Sequence, residues 1–156
     1  MKRYALILAL VLALVAGFGC SKKKAAEPGY AGDSVDQELQ AAIQQITDGR
    51  VLFAFDKYQI LPEYTQVLAT KAELMKKYNT IKVRIEGNCD ERGTQEYNLA
   101  LGERRARAAY DYLVNNGVSP SQLEMISYGK ENPAVDGHDE SAWSQNRRDD
   151  FRVVAH

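Results

Sequence analysis

Two ionisable side chains, Asp90 and Arg105, have the types and spacing to hold a ligand between them. Both lie in the stretch Ile85 to Ala106, IEGNCDERGTQEYNLALGERRA, the first in a charged turn and the second well along the segment that follows. A carboxylate and a guanidinium brought to one place can grip the two ends of a zwitterion. The carboxylate takes an ammonium, and the planar guanidinium fork takes a carboxylate. An amino acid with free α-amino and α-carboxyl groups is such a ligand. The same two side chains could instead form an internal ion pair, and surface pairs of that kind are common and weak. The residues alone leave both readings open.

Catalytic chemistry has less to stand on. His138 is the one histidine before the C-terminal residue, and it sits among acidic residues in a polar stretch. Cys89 belongs to a different segment, and the spacing of the two matches no zinc pattern. A Cys89–His138 nucleophile pair is the one covalent arrangement on offer, and a small buried side chain is the plainer role for Cys89. Choosing a glycosidase-like pair from 21 acidic residues is uninformative. The reading is therefore a binding protein with no catalytic residues, no metal site and no cofactor.

The elements that must position Asp90 and Arg105 follow from periodicity. Lys82 to Glu86 alternates charged and apolar residues, as a half-buried strand does, and Gly87 closes it. Asn88 to Gly93 form a polar turn, after which Thr94 is a helix N-cap with Glu96 in the first turn. Leu99, Gly102, Ala106, Ala109 and Leu113 make one helical stripe, expected to be the buried one. Asn98, Leu101 and Arg105 make a second, about 100° away. Asn116-Gly117 ends the helix.

The stretch EGNCDERGTQEYNLALGERRA resembles the core motif of the OmpA-like peptidoglycan-binding domains, in the branch carried by lipid-anchored envelope proteins. Three further pieces match in order: Phe53-Ala54-Phe55-Asp56 with Ile60, Ser127 to Pro133, and Asn146-Arg147-Arg148. The likeness runs from about Arg50 to Val154. It implies that Asp90 and Arg105 hold the diaminopimelate of the cell-wall stem peptide, with Asn98 and Leu101 on the stripe of Arg105. Phe55 and Asp56, at the end of the matching strand, are implied to lie beside the site. Their plainer readings are core for Phe55 and turn for Asp56. Asn88 and Cys89 stand where such chains often have His and a small residue. The resemblance also implies a place in a Tol-type envelope system serving cell division and envelope integrity, with a TolB-like β-propeller and other Tol proteins as partners. Two alternatives remain: a murein-modifying hydrolase using the same site, and a module that mainly docks a periplasmic protein.

The rest of the chain is organised around that domain. Lys2 and Arg3 followed by apolar Tyr4 to Phe18 read as a secretory leader, 1–19, too short to span a membrane as a helix. Gly17-Phe18-Gly19-Cys20 is similar to a lipoprotein cleavage site, although Gly17 stands where Leu is usual. Cys20 is then the lipidated first residue, and Ser21 after it points to the outer membrane. Segment 20–33 reads as a flexible tether reaching roughly 20 Å root-mean-square. Ser34 to Gln37 has capping-box spacing and opens a short amphipathic helix over 34–47, expected to pack on its own domain. The folded domain covers 48–156. Near balance of 20 bases and 21 acids leaves no nucleic-acid footprint.

Strands are expected at Val51 to Phe55, Lys82 to Glu86, Leu123 to Tyr128 and Arg148 to Val154. Helices are expected from Pro62 to about Tyr78 and from Thr94 onward, with Lys130 to Ser144 as a polar excursion. The fold class is α+β: an OmpA-like β-α-β-α-β-β two-layer sandwich of one mixed sheet and helices.

Overall fold

A computed structural model describes residues 31–156. The leader, Cys20 and the tether as far as Tyr30 lie outside the described residues. Four strands form one sheet: β1 (Val51–Leu52), β2 (Lys82–Asn88), β3 (Leu123–Gly129) and β4 (Arg148–Ala155). Their spatial order is β1-β4-β2-β3, with β2 and β3 parallel and β4 antiparallel to both β1 and β2. Alternation explains which face is covered. Val83 and Ile85 of β2 point into the core, with Ile85 opposite Met125 on β3 and Phe151 on β4. On the other face Arg84 meets Glu124 at 3.0 Å, and Glu86 meets Arg152 at 3.1 Å.

Helices α1 (Ala31–Thr47), α2 (Thr65–Lys77) and α3 (Gln95–Asn115) form the second layer, and a short α4 (Glu140–Asn146) precedes β4. The core joins Ile46, Leu68, Met75, Ala106, Ala109 and Leu113 from the helices to Val51, Val83, Ile85 and Phe151 from the sheet. Burying a side chain of this size contributes about 1.5–3 kcal/mol relative to leaving it exposed.

Helix α1 docks on its own domain, as expected, and Lys71 of α2 pins its end. Its Nζ, 1% exposed as a residue, donates to the main-chain oxygens of Ile46 and Asp48 and lies 4.5 Å from the Phe151 ring centroid. Burial pulls the Lys71 pKa down to about 8, against the opposing pull of Asp48.

Several boundaries differ from the sequence reading. Helix α1 is described from Ala31, so Ser34 is inside it and residues 31–33, expected in the tether, are helical. A cap preference is worth only about 1 kcal/mol, which an added turn of main-chain bonds can outweigh. Strand β1 has two residues instead of five, because at Phe53 the chain leaves the ladder while its N–H still bonds the Arg147 oxygen at 2.9 Å. Strand β2 runs through Gly87 to Asn88 and pairs there with β3 and β4. The polar excursion contains α4, capped by Asp139, whose carboxylate accepts from the Ser141 and Ala142 amides. Before α2, Pro62 opens a single 3₁₀ turn. Val67 and Leu74 are half-buried, while Leu68, Lys71, Ala72 and Met75 form the buried face of α2.

Candidate functional site at the ends of β2 and β4

The site begins with an approach that only glycines permit. Gly87 on β2 and Gly102 on α3 meet backbone to backbone: a Cβ on Gly87 would lie 2.0 Å from the Gly102 oxygen, and one on Gly102 would lie 2.3 Å from Ser127 Oγ. Helix α3 therefore lies directly on the sheet, and its next turn carries Arg105 over the C-terminal end of β2. At that end Cys89 N bonds Gly129 O at 2.7 Å, and the chain turns through Asp90 to Gly93. Thr94 caps α3 as expected, accepting from the Tyr97 amide at 3.2 Å. Asn98 stabilises the turn from inside, its Nδ2 donating to Arg92 O at 2.8 Å and Thr94 O at 3.0 Å.

A cleft of about 200 Å³ opens here, and all six site residues named from the sequence line it: Phe55, Asp56, Asp90, Asn98, Leu101 and Arg105. One expectation about α3 is overturned. The stripe of Asn98, Leu101 and Arg105 is buried, at 2%, 6% and 0% exposure, whereas Leu99 is 39% exposed. The reason is that α3 is covered on two sides, by the sheet and by the segment 53–57, so a stripe 100° from the sheet-facing one is buried as well. Arg105 Nε donates to Lys57 O at 2.9 Å and Nη1 to Asn88 O at 2.8 Å, with Cys89 Sγ at 3.3 Å. Its Nη2 has a weaker contact, 3.5 Å to Ala54 O. Its guanidinium carbon lies 5.1 Å from the Phe53 ring centroid. Neutral acceptors thus hold the cation in place, with Nη2 the least engaged nitrogen.

The internal Asp90–Arg105 ion pair is not formed. Asp90, 4% exposed, is engaged by other cations. Its Oδ1 accepts from the Arg92 amide and Arg92 Nε, both at 3.1 Å, and its Oδ2 from Arg92 Nη2 at 2.5 Å and Arg147 Nη1 at 3.3 Å. Burial alone would raise the Asp90 pKa, but the bonds from Arg92 and Arg147 outweigh it and hold the carboxyl below its ordinary value. Arg147 is itself fixed, donating to Phe53 O at 2.9 Å and Glu140 Oε1 at 2.5 Å.

Phe55 is not core: it is 57% exposed, and Phe53, at 2%, fills that role. The next residue, Asp56, has φ +57°, a left-handed turn that Asp tolerates better than most residues, and it accepts a hydrogen bond from the Tyr97 hydroxyl. Sequence reasoning did not assign Arg92, Tyr97 or Arg147 to the site. Arg147 belongs to a quoted motif, and Arg92 to the charged turn, but nothing in their spacing says which acid they meet.

The Cys89–His138 pair is not assembled as a nucleophile and base. The Cys89 thiol donates to Asn98 O at 3.4 Å, and burial pushes its pKa up to about 11. The His138 Nδ1 engages Glu91 at 2.8 Å instead, and Glu91 also accepts from Trp143 Nε1 at 2.9 Å.

Comparison with known proteins agrees with this architecture. The model of the OmpA family matches residues 52–147. A peptidoglycan-associated lipoprotein of Pseudomonas putida is 43% identical over 166 aligned positions, covering 97% of this chain and 98% of its own. One from Pasteurella multocida is 47% identical, covering 92% of each. Among solved structures, the peptidoglycan-associated lipoprotein of Burkholderia pseudomallei superposes with a TM-score of 0.68 at 43% identity, over 70% of this chain and 92% of that one. The C-terminal domain of Helicobacter pylori MotB shares the fold alone, with a TM-score of 0.60 at 21% identity over 67% of this chain and 84% of its own. The chain belongs to the OmpA family, among the peptidoglycan-associated lipoproteins.

Proposed function

We propose that this protein is a lipid-anchored outer-membrane module that binds peptidoglycan without catalysing a reaction on it. Its relatives carry peptidoglycan association and lipidation in their names. The observation that carries the reading is that a buried carboxylate and a buried guanidinium line one cleft without bonding each other. Asp90 takes the ammonium and Arg105, through its Nη2 side, the carboxylate at the free end of meso-diaminopimelate. Phe55, Leu101 and Asn98 border these charges, and Asp56 holds Tyr97 at the rim. Cys20 carries the lipid, the segment between it and α1 is the tether, and Tol-type proteins, a TolB-like β-propeller among them, are the periplasmic partners in envelope integrity and cell division.

Labelled murein incubated with the purified protein tests the class of activity. Reversible pelleting is expected, whereas release of soluble fragments would mean a hydrolase. Weakened pelleting in Asp90→Asn and, to a smaller extent, in Arg105→Lys ties the binding to the cleft. Matched muropeptides then test the ligand. A lysine-type stem peptide lacks the terminal carboxylate and leaves Arg105 without it, which should cost about 1.5–3 kcal/mol, or roughly 10- to 150-fold in affinity. Equal affinities for the two peptides would remove the zwitterion clamp. Fractionation tests the anchor: Cys20→Ala should move the protein to the soluble periplasm with murein binding intact.

A further inference from the structure

The acid assigned to the ligand's ammonium is already occupied, and the occupant is the chain's own Arg92. Three of the four hydrogen bonds reaching Asp90 come from Arg92, one from its amide and two from its guanidinium. The guanidinium is sandwiched between two aromatic rings, 4.0 Å from the Phe55 centroid and 4.1 Å from the Trp143 centroid. Cation–ring contacts of this kind add to the ion pair.

The two arginines on Asp90 differ in freedom. Arg147 is 6% exposed at its side chain and is also bonded to Phe53 O and Glu140, so it cannot leave without opening the start of β4. The Arg92 side chain is 30% exposed and stands on the turn, and its Nη2 is 3.9 Å from Glu140 Oε2, a second acceptor within a small rotation. Both lie on the cleft wall.

We infer that Arg92 is a built-in counter-ion that the ligand's ammonium displaces from Asp90, swinging toward Glu140 as the ligand enters. This rests on the reading of the cleft as a stem-peptide clamp. The exchange keeps Asp90 paired at every stage, which a buried carboxylate requires. It also sets a threshold for entry. A ligand that brings a carboxylate but no ammonium can meet Arg105, yet it has nothing to offer Asp90 in place of Arg92. Such a ligand therefore leaves Arg92 on Asp90, and only one that carries an ammonium as well triggers the displacement.

The chain supplies a reporter, since Trp143 is its one tryptophan and stacks on the group that moves. Titrating the wild-type protein with a muropeptide ending in meso-diaminopimelate should shift Trp143 emission and move the Arg92 Nε–H resonance from its hydrogen-bonded position, with faster exchange against water. Arg92→Gln should bind the same muropeptide more tightly, on the order of three- to tenfold, because ligand no longer competes with an internal cation. Its thermal unfolding, followed in parallel, confirms that the variant is folded. If it is not, the resonance of the wild-type protein still decides. Weaker or unchanged binding by folded Arg92→Gln, or an Arg92 Nε–H that stays bonded at saturation, overturns the displacement. The clamp itself would survive that result as long as the wild type binds and Asp90→Asn does not. A wild-type protein that fails to bind the muropeptide removes the clamp and this inference together.

Discussion

Asp90 and Asp149 are both buried carboxylates, and they are in opposite states. Asp149 lies in β4 opposite Gly87 of β2, and Asp90 follows β2 after one intervening residue. Their exposures are 4% and 0%. Asp90 accepts four hydrogen bonds from two arginines and is held below its ordinary pKa. Neither oxygen of Asp149 has a hydrogen-bond partner among the described residues, and burial drives its pKa well above the usual value, with Arg105 pulling the other way. Burial therefore does not decide the charge of an acid here. The donors around it do: the arginines hold Asp90 toward the anion, while Asp149, without hydrogen-bond donors, is pushed toward the neutral acid.

Removing the charge at Asp90 breaks the comparison most severely. Asp90→Asn should lower muropeptide affinity by roughly 10- to 150-fold, as expected for a lost charged hydrogen-bond partner. Isothermal titration against the wild type measures it. Binding within twofold of wild type would put Asp90 in the same structural category as Asp149.

The complementary change sharpens the contrast through stability. Because the folded pKa of Asp149 is raised, the unfolded chain releases its proton first as pH rises past the ordinary carboxylate value. In the window between the two pKa values the folded state binds more protons, so this group costs up to about 1.4 kcal/mol of stability for each pH unit. Below the unfolded pKa that cost vanishes. Asp149→Asn should thus gain on the wild type as pH rises past the ordinary carboxylate value and match its trend below it, as read from urea midpoints. A parallel pH dependence in the two proteins would show that Asp149 is ionised in the fold. Asp90 carries the opposite sign. Its lowered pKa contributes stability above the ordinary value that is lost as pH falls through the folded one.

A smaller effect separates neighbouring arginines. Arg105→Lys keeps the charge that faces Asp149 and Asp90 but loses the fixed planar donors to Lys57 O and Asn88 O. A loss of about tenfold in muropeptide affinity is expected, the size of one hydrogen bond to a charged group. Arg104 is exposed, and Arg104→Lys should change affinity by less than about twofold. Equal losses would dissolve the distinction between the two positions.

These contrasts mark where the sequence could be read and where it could not. Val83, Ile85, Phe151 and the Thr94 cap follow from period and local hydrogen bonding, which adjacent residues determine. The meeting of Asp90 and Arg105 in one cleft was reached through strand end, turn and helical stripe, together with the family motif. What escaped was pairing across long separations. Asp90 finds Arg147 through the antiparallel placement of β4, and Asp149 is left without donors because the sheet closes over it. The burial of Arg105 depends on segment 53–57 crossing α3, which no helical period encodes. Helix α4 was hidden because its seven residues are too few to display an apolar stripe.

The contact of Gly87 with Gly102 has a consequence for how this protein can change over generations. Where helices rest on the sheet through side chains, each substitution in the core alters the spacing a little. At this crossing, and where Gly129 of β3 faces the main chain of α3 at Asn98 and Leu99, backbone meets backbone, and the separation is set by main-chain van der Waals contact that does not depend on side-chain identity. Arg105 follows Gly102 within one turn of the same helix. Its guanidinium is therefore referenced to a point that core drift does not displace. Lineages can exchange Leu, Ile, Met and Val beneath α2 and α3, altering how tightly the domain holds together, while the reach of Arg105 over the end of β2 is inherited unaltered.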